Sequence, residues 1–296
     1  MADPAEALKP AAVPRAGASN ADPGAKSGRG RLDLATIGGL FIAFGGILGG
    51  LILEKGNIQD VAQTTAAMVV LGGTIGAVLV TTPLTVFLRA LRGLGNVFFE
   101  RAYSTGEMIE TLIQFAAKAR KNGIVSLETE AAKIPDPFLR KSLGLAVDGT
   151  DMQELRKMME TEISLSELVA EGDAKVWESA GGYAPTIGII GAVMGLIQVM
   201  KHLEDIKEVG HGIAVAFVAT VHGVGSANLF FLPAAAKLRT RARQISLMKE
   251  MILEGVVGIV EGLNPTLIRM KLDAFNCDSP AKSGKPEAVK PGGGRG

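Results

Sequence analysis

Cysteine occurs once in this chain of 296 residues, tryptophan once, tyrosine twice and histidine three times. The lone Cys277 excludes an intrachain disulfide and the usual cysteine-rich metal sites. An excess of charge is also lacking, with 31 basic against 30 acidic side chains. That balance excludes the concentrated basic surface of a nucleic-acid binder. No segment carries the apolar–polar alternation of a half-buried strand, so an all-helical fold is expected. No catalytic set, metal site or cofactor is expected either.

The most informative absence is local. Aspartate, glutamate, lysine and arginine are missing from residues 34–53, 61–88, 179–200 and 212–236. Each run reaches the roughly 20 residues a helix needs to cross about 30 Å of hydrocarbon. The chain therefore reads as an all-α membrane protein with four spans in two hairpins. A signal peptide is not expected, because the first run is too long for one and a second span follows closely.

Loop charge sets the orientation. Lys26, Arg29 and Arg31 precede span one; Arg89, Arg92 and Arg101 follow span two; Lys237, Arg239, Arg241 and Arg243 follow span four. The turns at 54–60 and 201–211 hold only Lys55, and Lys201 with Lys207. Both termini and the segment between the hairpins are expected in the cytoplasm. The divisions are a disordered tail (1–31), hairpin one (32–88), a cytoplasmic helical domain (89–178), hairpin two (179–236), a cytoplasmic C-terminal helix (237–275) and a second tail (276–296).

In the central segment, Ile109, Leu112, Ile113, Phe115 and Ala116 follow helical spacing and Gly123 ends the run. Asp151 and Glu154 fit a capping box at the start of a long second helix. Trp177, just before span three, occupies the usual place of an interfacial aromatic.

Small residues mark the spans. Gly45, Gly46, Gly49 and Gly50 form two overlapping GxxxG pairs, and Gly72/Gly76 and Gly191/Gly195 form two more. Such faces let helix backbones approach closely in lipid, which implies dense packing and an oligomer. Pro185, Gly188, Ala192 and Gly195 share one predicted face of span three, and Ala216, Thr220, Gly223 and Ala227 one of span four. Pro185 removes a backbone donor and loosens its helix. Thr186 and Thr220 offer hydroxyls at membrane depth, to an ion, to a partner, or to their own i−4 carbonyls. With no acid or strong base in any span, ion conduction requires a carboxylate from a second chain.

Several separated motifs resemble the MotA/PomA family, the ion-channel subunits of the bacterial flagellar stator. They are "LDLATIGG", "VVLGGTIGAVL" with a following proline, "KARKNGIVSLE", "GGYAPTIGIIGAVMGLI", "GIAVAFVATVHGVGSANLFFLP" and "EGLNP", covering roughly residues 32–275. The resemblance implies a homopentamer in the inner membrane around two MotB-type subunits. Each of these brings one membrane helix with an aspartate, whose protonation or sodium binding drives rotation against the rotor protein FliG.

By motif, Arg120, Lys121 and Glu128 match rotor-contact charges, with a helix–turn between Arg120 and Glu128. Pro185 and Pro233 match prolines linked to the conformational change. Thr220 matches a threonine facing the partner's aspartate; Phe217 lies one turn before it and Thr186 directly follows Pro185. Ala192 stands where sodium-driven members often carry threonine and proton-driven members alanine. The resemblance therefore implies transported protons, with sodium as the alternative. His222 departs from the family pattern and is expected as a neutral, hydrogen-bonded side chain between helices, the alternative being a proton relay. Rival readings are a TolQ/ExbB-like energiser of another envelope process, a structural membrane scaffold, and a serine hydrolase using His222 and Ser226.

Overall fold

The computed structural model describes residues 31–56, 61–100 and 105–275. The N-terminal tail, part of the first hairpin's turn, Arg101 and the tail with Cys277 lie outside them. Among the described residues, four helices are long and apolar enough to cross a membrane. They are α1 (Leu34–Leu53), α2 (Thr64–Thr81), and the membrane parts of two very long helices. After α2 come α3 (Leu84–Gly93), α4 (Gly95–Phe98), α5 (Thr105–Asn122), α6 (Glu128–Ala131) and α7 (Pro137–Val147). The long helices are α8 (Met152–Lys201) and α9 (Ile206–Val260), and α10 (Pro265–Asp273) follows.

Three of these starts follow from capping chemistry. Asp33 accepts from the backbone N–H groups of Ala35 and Thr36, and Asp151 from those of Gln153 and Glu154. Asp136 accepts from Leu139 N–H with Pro137 at the first helical position. The sequence divisions at 178/179 and 236/237 fall inside α8 and α9, each of which carries a membrane span and a polar extension without interruption.

The polar extensions of α8 and α9 pack with α5, α6, α7 and α10 around one apolar core. Leu112, Leu127, Leu139, Leu143, Met159 and Met251 are fully buried there. The predicted apolar face of α5 is the observed one, with Ile109, Leu112 and Ala116 buried and Ile113 and Phe115 partly so. Arg156 pairs with Glu254 at 2.8 Å and Lys249 lies 5.5 Å above the Phe138 ring, so charge as well as packing joins α8, α7 and α9.

Three details differ from the sequence reading. First, Arg31–Leu32 (β1) pairs antiparallel with Phe99–Glu100 (β2), a strand signal too short for any pattern to reveal. Second, Trp177 is buried rather than interfacial. Its ring stacks on Phe231 and meets Phe230 edge-on, each at 6.1 Å, and its indole N–H donates to the Ala90 carbonyl of α3. Third, α2 and α9 each contain a π-turn, at Met68–Gly72 and Ala227–Phe231. The second has a physical cause two residues later: Pro233 cannot donate to the Leu229 carbonyl, and the looser turn accommodates the missing bond.

Candidate functional site

The membrane parts of α8 and α9 meet along a seam of small residues. On α8 these are Gly181, Ala184, Gly188, Gly191 and Gly195; on α9 they are Gly212, Ala216, Ala219, Gly223 and Ala227, all buried. At Gly188 and Gly223 the two backbones touch. A Cβ on Gly223 would fall 2.6 Å from the Ala184 carbonyl oxygen, and one on Gly188 would fall 3.0 Å from that of Ala219. Gly195 is equally tight against Gly212 and Ala216, at 2.9 and 3.0 Å.

This corrects the predicted face of span three. Gly188 and Gly195 belong to the seam, but Ala184 and Gly191 complete it, and Pro185 and Ala192 are only half-buried beside it. On span four Ala216, Gly223 and Ala227 are in the seam as predicted, with Ala219 in the place given to Thr220.

The displaced residues share a flank. At about 100° per residue, Ala192 and Pro185 lie roughly 60–80° to one side of the seam, and Thr220 and Phe217 lie roughly 60–120° to the same side. Span two covers the opposite side, where Ile187 would meet a Cβ on Gly73 at 2.7 Å, and Ala66 and Val70 pack on Val218 and Ala219. Thr220 stands at the level of Gly188, between Pro185 and Ala192 along α8. Thr186 is exposed on the opposite face of α8, about 180° from the seam, and Phe217 is 71% exposed.

Both hydroxyls are already engaged. Thr186 donates to the Tyr183 carbonyl at 2.8 Å and Thr220 to that of Ala216 at 3.2 Å, the local bonding open to any membrane threonine. The helix runs on through Pro185, which leaves the Gly181 carbonyl without its usual donor. The flank thus has small or apolar side chains, one self-bonded hydroxyl at Thr220 and no ionisable group.

His222 is not on it. It lies about 200° around α9 from Thr220, on the side of span two. Among the described residues its buried Nδ1 has no hydrogen-bond partner, so the expected interhelical bond is not seen at that nitrogen. Ser226 donates to the Gly223 carbonyl, and among the described residues no hydrogen bond joins it to His222. Pro233 is also elsewhere, on the wall of a crevice between α9 and α1.

Arg120 and Lys121 are exposed at the end of α5, which stops because Gly123 takes φ +82°, a left-handed conformation that favours glycine. Glu128 is exposed at the start of α6, across a short 3₁₀ turn. Lys118 and Glu130 form the ion pair that braces this helix–turn–helix. Arg120, Lys121 and Glu128 enter no ion pair among the described residues and lie exposed on either side of its turn.

A charged cluster was not foreseen. Asp33, 6% exposed, accepts from Lys237 at 2.5 Å and from Arg241 at 2.9 Å, while Arg241 also donates to the Phe99 carbonyl. Hydrogen bonding from Lys237 holds the Asp33 carboxyl well below the usual carboxylate range. It therefore remains ionised, and the junction intact, throughout the physiological pH range.

Comparisons with known proteins show the family. Residues 130–251 match the model of the MotA/TolQ/ExbB proton channel family, and residues 37–123 match that of the motility protein A N-terminal region. The chain belongs to the MotA/TolQ/ExbB proton channel family. Its relatives place it among the flagellar stator subunits of that family. It is 35% identical to motility protein A of Helicobacter pylori over 241 residues, 81% of this chain and 94% of that one. The fold matches the C. jejuni MotAB structure with a TM-score of 0.81 at 32% identity, covering 84% of this chain and 98% of that chain. The flagellar MotAB stator complex from Bacillus subtilis matches with a TM-score of 0.77 at 31% identity, covering 84% and 97%.

Proposed function

We propose that this chain is the ring-forming ion-channel subunit of a proton-driven flagellar stator, with both termini and residues 89–178 in the cytoplasm. Five copies surround two MotB-type helices in the inner membrane. The observation that carries the reading is the uncovered flank beside the α8–α9 seam. It joins Pro185, Ala192, Phe217 and Thr220 on two helices locked backbone to backbone, yet offers nothing that can take up a proton.

The mechanism follows from that division of labour. The partner's aspartate supplies the titrating group, and this chain supplies a rigid wall on which its two charge states pack differently. Na⁺ must have its water replaced by oxygen ligands. Ala192 presents none, so the flank suits a proton. A change of charge at the partner's aspartate alters its fit against Thr220 and Phe217, and the bonded α8–α9 pair moves as one body. Because each helix extends into the cytoplasmic core, the movement reaches the helix–turn–helix bearing Arg120, Lys121 and Glu128, which engages FliG.

Two measurements test this. In proteoliposomes, proton uptake should be absent with this chain alone, present with its partner, and absent again when the partner's aspartate becomes asparagine; uptake by this chain alone would refute the shared site. Arg120→Glu should cut swimming speed several-fold while leaving proton uptake unchanged, since exposed charges orient a partner rather than shape a channel. Loss of uptake in that variant would remove the rotor-contact role.

A further inference from the structure

Span one stands apart from the protomer it belongs to. None of its residues is buried, and a Cβ added to Gly39, Gly45 or Gly49 would meet no atom within 4 Å. Its polar end is nevertheless fastened, by Asp33 to Lys237 and Arg241 and by the β1–β2 pairing. Between that fastening and the membrane interior lies a crevice of about 300 Å³, walled by Gly39 and Ala43 of α1, Phe98 of α4, and Phe230 and Pro233 of α9. From Ala35 to Ala43 it follows α1 for about 12 Å at 1.5 Å per residue. Lys237 lies at its polar end.

The charges at that end do not cancel. One carboxylate, Asp33, faces two cations, which leaves a net single positive charge. Arg241 is 15% exposed and divides its donors between Asp33 and the Phe99 carbonyl. Lys237 is 34% exposed. Its ammonium has three donors, and Asp33 takes one of them. The crevice therefore has an apolar body within a membrane-length helix pair, and a cation with spare donors at the level where the span begins. A fitting occupant is anionic at one end and a hydrocarbon chain at the other.

We propose that this crevice binds one anionic phospholipid, its phosphate on Lys237 and an acyl chain wedged between span one and span four. Basic pockets between membrane helices recognise such headgroups through just this combination of charge and slot. The lipid fills the space that separates α1 from α9 and sets the angle at which span one leaves its Asp33 fastening.

The test is lipid retention by the purified full-length chain in native mass spectrometry, with phosphatidylglycerol or phosphatidylcholine added. Phosphatidylglycerol should be retained at one per protomer and about fivefold more strongly than phosphatidylcholine, in keeping with one added lysine contact. Lys237→Gln should abolish that preference. Because this change also disturbs Asp33, Gly39→Leu provides a separate variant: it fills the slot from an open position, leaves the charged cluster alone, and should lower retention of both lipids. Equal retention of the two lipids by the unaltered chain would overturn the proposal, as would preference and retention unaffected by both substitutions. Ala43→Cys forming a cross-link to a neighbouring polypeptide, with lipid retention unaltered, would show that a protein helix fills the crevice and would also overturn it.

Discussion

Gly223→Ala is expected to abolish swimming. The added methyl carbon would sit 2.6 Å from the Ala184 carbonyl oxygen and 3.0 Å from the Gly188 Cα, and both are backbone atoms of a facing helix. No rotamer relieves that contact, so α8 and α9 must separate. Overpacking of this kind costs about 1–3 kcal/mol, enough to lower the thermal midpoint by several degrees. The functional loss should exceed the stability loss, because the paired helices transmit movement only while locked together. Chain levels in the membrane, thermal unfolding in detergent and swimming speed check this together. Normal swimming with an unchanged midpoint would show that the seam is not tight.

The second large effect is expected at Pro185. The helix is continuous there, and Pro185 withholds the donor that the Gly181 carbonyl would otherwise receive. Pro185→Ala restores an ordinary helical bond and removes a half-buried ring from the flank beside Ala192. It should raise helix stability locally while lowering torque at least about tenfold, the usual conflict between stability and a site that must yield. Co-purification with the single-span partner should persist, since the seam itself contains Ala184 and Gly188 rather than Pro185. Full motility in this variant would remove the proline from the mechanism.

Much of this was legible in the sequence, for physical reasons that differ by residue. Charge-free runs of membrane length are costly to place anywhere else, so the spans could be read directly. The apolar spacing of Ile109, Leu112 and Ala116 and the stop at Gly123 likewise fixed α5 and its turn. The seam was read one residue out of place on α8. Small residues occur both at 184, 188, 191 and 195 and at 185, 188, 192 and 195, and helical spacing fits either row. Only the steric contacts with Ala219 and Gly223 choose between them.

Other features left weaker traces. The π-turn at Ala227–Phe231 was signalled by Pro233 alone, and that at Met68–Gly72 by nothing in the composition. The bond from Arg241 to Asp33 joins residues 208 positions apart, and the sequence offers both only as separate charges near span ends. His222 was the one histidine in a span. Its distance from the flank emerged once span two was seen to cover that side of α9.

The central claim is that this chain forms the wall of a stator's proton path and borrows its carboxylate. Its most direct test is swimming speed in a stator-deleted host with a compatible rotor, carrying this gene and its neighbouring single-span partner gene. Speed should be unchanged across sodium concentrations and collapse with a protonophore. Speed that requires sodium and withstands the protonophore would contradict the proton assignment and the role given to Ala192.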